Sequence, residues 1–151
     1  MRQALVLFVL LVSLPALASE ATGRVIKVLP LFLDTNGVAA ISPSLFDRDA
    51  YQLRLREHPR LVSGMRIDVL WKTHNATNEK LTLRAELRGV GGRNLPTETT
   101  LETNLLLKTS RHWTSLKITG PDYKNFGMLM AWRVTLWDGD KMLGEQKSYL
   151  W

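Results

Sequence analysis

The sequence predicts an all-β protein, a mainly antiparallel β-sandwich of about seven strands with one short crossover helix. Three observations predict it. Long stretches alternate apolar and polar residues with a period of two, as strands with one wetted face do. Turn signals recur about every 8 to 12 residues, the spacing of a sandwich or barrel. One stretch, "SPSLFDRDAYQLRLREHP" (residues 42–59), departs from alternation and carries helix start and stop signals.

The chain opens with "MRQALVLFVLLVSLPALASEA". Arg2 supplies a positive start, Leu5 to Leu14 an apolar run, and Ala16-Leu17-Ala18 a small-x-small cleavage site. This is the layout of a secretory signal peptide. A spanning helix needs about twenty apolar residues. The expected organisation is a signal peptide over residues 1–18 and a single domain over residues 19–151, with no transmembrane span once the signal is removed.

The domain begins with "GRVIKVLPLFLD". Arg24 to Leu33 is apolar and β-rich, and Pro30 cannot donate to a ladder, so the segment is an edge strand or bends there. Asn36-Gly37 is a hairpin signal, which makes Val38–Ile41 the expected return strand.

Residues 42–59 follow. Ser42 can cap a helix whose first residue is Pro43, with Ser44 as the alternative cap. Asp47 and Asp49 precede Arg54, Arg56 and His58, the order a helix dipole favours. Pro59 forbids continuation. A strand is the rival, because "YQLRLR" alternates. The caps, charges and stop together favour a helix with Phe46, Ala50 and Leu53 turned to the sheets. It either covers an open end of the sandwich or serves as an exposed recognition element, with Asp47, Arg48, Tyr51 and Arg54 as the interaction residues.

The remaining strands are plainer. "GMRIDVLWK" sets Met65, Ile67, Val69 and Trp71 against Arg66, Asp68 and Lys72. "KLTLRAELRG" sets Leu81, Leu83, Ala85 and Leu87 against Thr82, Arg84, Glu86 and Arg88. "GVGGRNLP" reads as a loop. "TTLETNLLLK" aligns Leu101, Thr103, Leu105 and Leu107. "WTSLKIT" aligns Thr114, Leu116 and Ile118. "GPDYKNFG" reads as turn. "MLMAWRVTLW" aligns Met130, Trp132, Val134 and Leu136, and Asp138-Gly139 turns the chain into "KMLGEQKSYLW".

"MRIDVLWKTHNATNEKLTLRAEL" resembles the tryptophan-bearing strand and the strand after it in immunoglobulin-like and fibronectin-type-III-like domains. "AWRVTLWDGDKMLGEQKSYL" is similar to their closing hairpin. The resemblance implies an immunoglobulin-like β-sandwich. The cysteine pair of antibody-type domains is missing, and the usual tyrosine of the penultimate strand has no match. "SPSLFDRDAYQ" also resembles a stretch found in exported bacterial proteins.

The absence of cysteine excludes structural disulfides, thiolate metal sites and a lipid-modified cysteine. An exported chain without disulfides points to a bacterial periplasm or exterior. Without Arg2 the chain has 19 basic and 14 acidic residues, a net +5. The charges are interleaved in runs no longer than two, which describes solvated faces better than a nucleic-acid stripe.

Catalytic and metal signatures are missing. His58, His74 and His112 have no metal-ligand spacing, no G-x-S-x-G exists, and "GVGGR" lacks the Lys-Ser/Thr of a phosphate loop. Asp138-Gly139-Asp140 lacks the further oxygens of a calcium loop. Asn75-Ala76-Thr77 fits a glycosylation acceptor. Lys147 and Glu145 share register with Trp151 and Tyr149, so the last strand does not fit a membrane barrel.

The expected function is an exported, non-enzymatic binding or interaction module of the cell envelope or extracellular space, with no cofactor or metal. Its partner is a protein or envelope component rather than nucleic acid. The alternative is a carbohydrate-binding module that stacks polysaccharide on exposed tryptophans, with Trp71 and Trp132 expected in the core and Trp113, Trp137 and Trp151 left as candidates.

Overall fold

The computed structural model describes residues 20–76, 81–106 and 111–151. The expected signal peptide lies outside the described residues, as do Leu107 and the Thr77 of the glycosylation pattern.

Seven strands and two helices follow one another: β1 (Thr22–Asp34), α1 (Leu45–Glu57), β2 (Val62–His74), β3 (Leu81–Val90), β4 (Pro96–Asn104), β5 (His112–Thr119), α2 (Gly120–Phe126), β6 (Met128–Asp138) and β7 (Lys141–Lys147). The strands form two antiparallel sheets, β1-β2-β5 and β4-β3-β6-β7. This is the expected all-β sandwich.

Alternation decides what lies between the sheets. Met65, Ile67, Val69 and Trp71 of β2 meet Leu81, Leu83, Ala85 and Leu87 of β3 in one buried cluster with Leu116, Ile118, Val134 and Leu136. The Trp71 Nε1–H donates to Thr114 Oγ1 at 2.8 Å, so the buried indole leaves no donor unmade. One side of the sandwich is nearly shut. There β7 passes so close to β1 that a Cβ on Gly144 would lie 3.0 Å from the Gly23 carbonyl oxygen.

β1 is apolar on both faces, and this explains α1. Val25 and Val28 enter the main core. Leu31 and Leu33 face the other way and form a second small core with Ala39. α1 packs on β1. It also covers the strand's open edge: the Phe32 N–H donates to Gln52 Oε1 at 2.7 Å, and Gln52 Nε2 donates to the Phe32 carbonyl at 3.0 Å.

Several expectations are corrected. Val38–Ile41 is no return strand, because β1 finds its partner in β2. The Asn36-Gly37 turn does form, closed by Gly37 N–H to the Asp34 carbonyl at 2.9 Å. The helix starts after Ser44, whose hydroxyl accepts from Asp47 N–H; Pro43 lies outside it. Phe46, Ala50 and Leu53 face water, with Phe46 81% exposed. The inward face is Arg48, Tyr51, Gln52 and Leu55, and Leu55 alone on α1 is buried. An edge strand needs an amide and one leucine, which this face supplies. "GPDYKNF" is the short helix α2 rather than a turn, and it buries Phe126. A β-bulge near Arg88 and Gly89 shifts β6, so Leu129 packs on the core and Met130 turns outward.

Candidate functional site

The two outer faces of the sandwich carry their charge differently. On the four-stranded sheet most basic residues pair with an acid, although Lys147 stands opposite Arg133 with no ion pair among the described residues. Arg84 meets Glu102 at 2.9 Å, Arg88 meets Glu98 at 3.2 Å, and Arg133 meets Glu145 at 2.9 Å and Glu86 at 3.7 Å. The register dictates this: Arg84 is opposite Glu102, Arg88 opposite Glu98, and Glu86 opposite Arg133.

The three-stranded sheet has no such lattice. Lys72 of β2 is opposite Arg24 of β1, and the same register carried one step past His112 sets Arg111 beside Lys72. Lys27 is opposite Leu70, and Leu70 is opposite Trp113. Arg24, Lys27, Lys72, Arg111 and Lys117 are all exposed, and none of them forms an ion pair among the described residues. Asp68 is the acid on this face. It is taken up by Arg66 at 2.8 Å and by the Ser115 hydroxyl at 2.6 Å. Part of the excess positive charge read in the sequence thus stands on this sheet with no ion-pair partner among the described residues.

The tryptophans separate along the same line. Trp71 is buried, and Trp132 is half-buried against the core, less deep than expected. Trp137 donates its Nε1–H to Thr135 Oγ1 at 2.8 Å and lies under the Arg84 guanidinium, 5.5 Å from the ring centre. Trp151 lies under Arg88 at 4.1 Å. Arginines already occupy those two faces. Trp113 remains, 52% exposed on the outer face of β5 and two residues from Arg111.

Beside it, at the end of the three-stranded sheet, is a recess of about 550 Å³ lined by Arg24, Lys72, His74 and Arg111 with Thr22, Gly23 and Thr73. Among the described residues no acidic side chain lines it. A second cleft of about 570 Å³ lies where β4 and β5 leave the sandwich open. Its walls are mainly polar, with Thr97, Thr99 and Asn125, and it holds no aromatic ring besides the buried Phe126.

The four residues singled out on α1 do not gather into one patch. Tyr51 turns inward, and its hydroxyl donates to Asp34 Oδ2 at 2.7 Å. That bond, with the Val38 and Asn36 N–H groups, holds the Asp34 carboxyl below its ordinary range, and the same carboxylate pushes the Tyr51 phenol up. Arg48 pairs with its neighbour Asp49 at 2.7 Å. Asp47 serves the cap through its backbone. Arg54 is exposed, and its carbonyl accepts from the His58 N–H.

Among the described residues no three His, Asp or Glu side chains gather to hold a metal ion, and no helix is long and apolar enough to cross a membrane. No protein family matches the chain, and neither a curated relative nor a solved structure matches it.

The sequence missed the row Arg24–Lys72–Arg111. Its members lie far apart along the chain and meet only through strand pairing. The available signal was that Arg24 and Lys72 each flank an inward residue, Val25 or Trp71, and so share one parity.

Proposed function

We propose that the protein is an exported, non-enzymatic binding module of the cell envelope or extracellular space, and that the outer face of the three-stranded sheet is its binding surface. The observation behind this is Trp113. It is the most exposed indole among the described residues, on a face where Arg24, Lys27, Lys72, Arg111 and Lys117 have no ion-pair partner among the described residues and Asp68 is taken up by Arg66. A flat ring beside unsatisfied cations suits a sugar-type ligand, since the ring offers apolar area and the charged groups offer directed hydrogen bonds. The reading favours carbohydrate binding over a purely protein partner.

Export rests on the charged start, apolar run and Ala16-Leu17-Ala18 pattern. An immunoglobulin-like sandwich rests on the seven antiparallel strands in two sheets. Antibody constant domains keep the fourth strand beside the first, second and fifth, and carry their buried tryptophan on the third. Here β4 pairs with β3, and Trp71 stands on the second strand. Both departures argue against the antibody constant subtype.

The test is a glycan-array or titration panel read by indole fluorescence. Trp113→Ala is expected to abolish the response while the melting temperature holds. An unchanged titration with Trp113→Ala would refute the reading.

A second reading has one observation in its favour. Phe46, Ala50 and Leu53 form an outward apolar stripe on α1, suited to a protein partner. Under it, Phe46→Ser and Arg54→Glu abolish partner capture and Trp113→Ala does not.

A further inference from the structure

The recess beside Trp113 specifies more than a sugar. We infer that the ligand of this face is an acidic polysaccharide, with a carboxylate of a uronic-acid-type ring seated between Arg24, Lys72 and Arg111 while a ring packs on Trp113. This rests on the binding face proposed above and assigns its chemistry.

Three features of the recess carry the inference. Its cations come from three adjacent strands: Arg24 from β1, Lys72 from β2 and Arg111 from just before β5. They converge because antiparallel register puts Arg24 opposite Lys72, and among the described residues no acidic side chain lines the wall between them. Three like charges on adjacent strands repel one another, and an opposed like pair on a sheet is destabilising. On the other sheet Arg84, Arg88 and Arg133 each meet a glutamate, although Lys147 also stands opposite Arg133. Leaving this end unresolved suits a site whose counter-charge arrives with a ligand.

Arginine and lysine differ in what they bring. Guanidinium groups from Arg24 and Arg111 can grip a carboxylate through two parallel N–H donors, and the Lys72 ammonium adds a point charge. His74 lines the same recess and adds a ring nitrogen that can donate or accept. The distribution fits a carboxylated sugar better than nucleic acid. A nucleic-acid track combines a long cationic groove with several stacking rings, whereas this face offers a short cationic cluster and Trp113. Lys27 and Lys117 extend positive charge along the sheet, so successive acidic residues of a polymer meet cations on either side of the indole.

The test titrates the protein with a polyuronate oligosaccharide, its fully methyl-esterified neutral form and a single-stranded oligonucleotide, each by calorimetry at two salt concentrations. The acid form is expected to bind about tenfold or more tightly than the ester, and to weaken as salt screens it. The double variant Arg24→Gln/Lys72→Gln is expected to bring acid-form affinity down toward that of the ester, with a much smaller loss on the ester. Trp113→Ala should weaken both forms. Equal binding of acid and ester overturns the inference and leaves the sugar-binding face standing. Binding of neither form overturns both. Preference for the oligonucleotide overturns the inference in favour of a nucleic-acid ligand. Circular dichroism of each variant guards against misfolding, and Lys72→Arg, which keeps the charge, should retain binding.

Discussion

The side-chain amide of Gln52 replaces a missing strand beside Phe32. It accepts from the Phe32 N–H at 2.7 Å, donates to the Phe32 carbonyl at 3.0 Å and donates again to the Ala39 carbonyl at 2.8 Å. An open sheet edge is a template for unwanted pairing. β1 is such an edge, and two devices guard it. Pro30, two residues before Phe32, has no N–H to offer, and Gln52 occupies both polar groups of Phe32.

Gln52→Ala should therefore cost about 1–3 kcal/mol, because partly buried backbone groups lose their partners. It should also raise light scattering on concentration, since the edge becomes adhesive. Urea midpoints and static scattering check this. Loss of less than about 0.5 kcal/mol, the range of a neutral surface change, would contradict the role given to the amide.

Acid should act through Asp34. Its pKa is lowered in the folded state, first by the Tyr51 hydroxyl and then by the Val38 N–H. A lowered carboxyl contributes stability that is present above its unfolded pKa and is lost as pH falls through its folded pKa. Tyr51→Phe removes the largest cause. Its destabilisation should be greatest near neutral pH and should shrink as the solution is acidified below the carboxylate range. Denaturant midpoints from pH 7 to pH 2 would show the two proteins converging. A gap independent of pH would contradict the linkage.

Two glycines with nearly the same positive φ separate strain from collision. Gly37 has φ +76° with open space around a Cβ, while Gly127 has φ +78° with a Cβ position 2.2 Å from the Val90 carbonyl oxygen. Gly37→Ala should cost about 1–2 kcal/mol, the left-handed penalty alone. Gly127→Ala should cost several times more, because the Val90 carbonyl belongs to β3. Thermal melts of both variants decide it, and equal losses would contradict the close approach.

Trp71→Ala should cost about 3–5 kcal/mol, as for a buried aromatic. Trp132→Ala should cost less, since that ring is only half-buried. The reverse order in urea titrations would contradict the burial assigned to the two rings.

Much of this fold was legible because alternation is a local property. Met65 to Trp71 and Leu81 to Leu87 alternate, and each set faces the core. What failed depended on contacts that sequence order hides. The α1 apolar stripe of Phe46, Ala50 and Leu53 looked like the packed face. The helix instead packs through Tyr51, Gln52 and Leu55, because it meets the edge of β1, where the Phe32 backbone and the Asp34 carboxylate take polar partners. The Met130 reading failed at a bulge, which shifts parity without any sequence mark. The cationic row escaped notice because register alone brings Arg24, Lys72 and Arg111 together.

The most direct test of the binding face maps it residue by residue. Backbone amide shifts of the labelled protein are followed while a polyuronate oligosaccharide is added. The expected perturbations cluster at residues 22–27, 70–74 and 111–117, with the Trp113 indole N–H among the largest. Perturbations confined to α1 around Phe46 and Leu53, or to the paired charges of β3, β4 and β6, would contradict the assignment of the outer face of the three-stranded sheet.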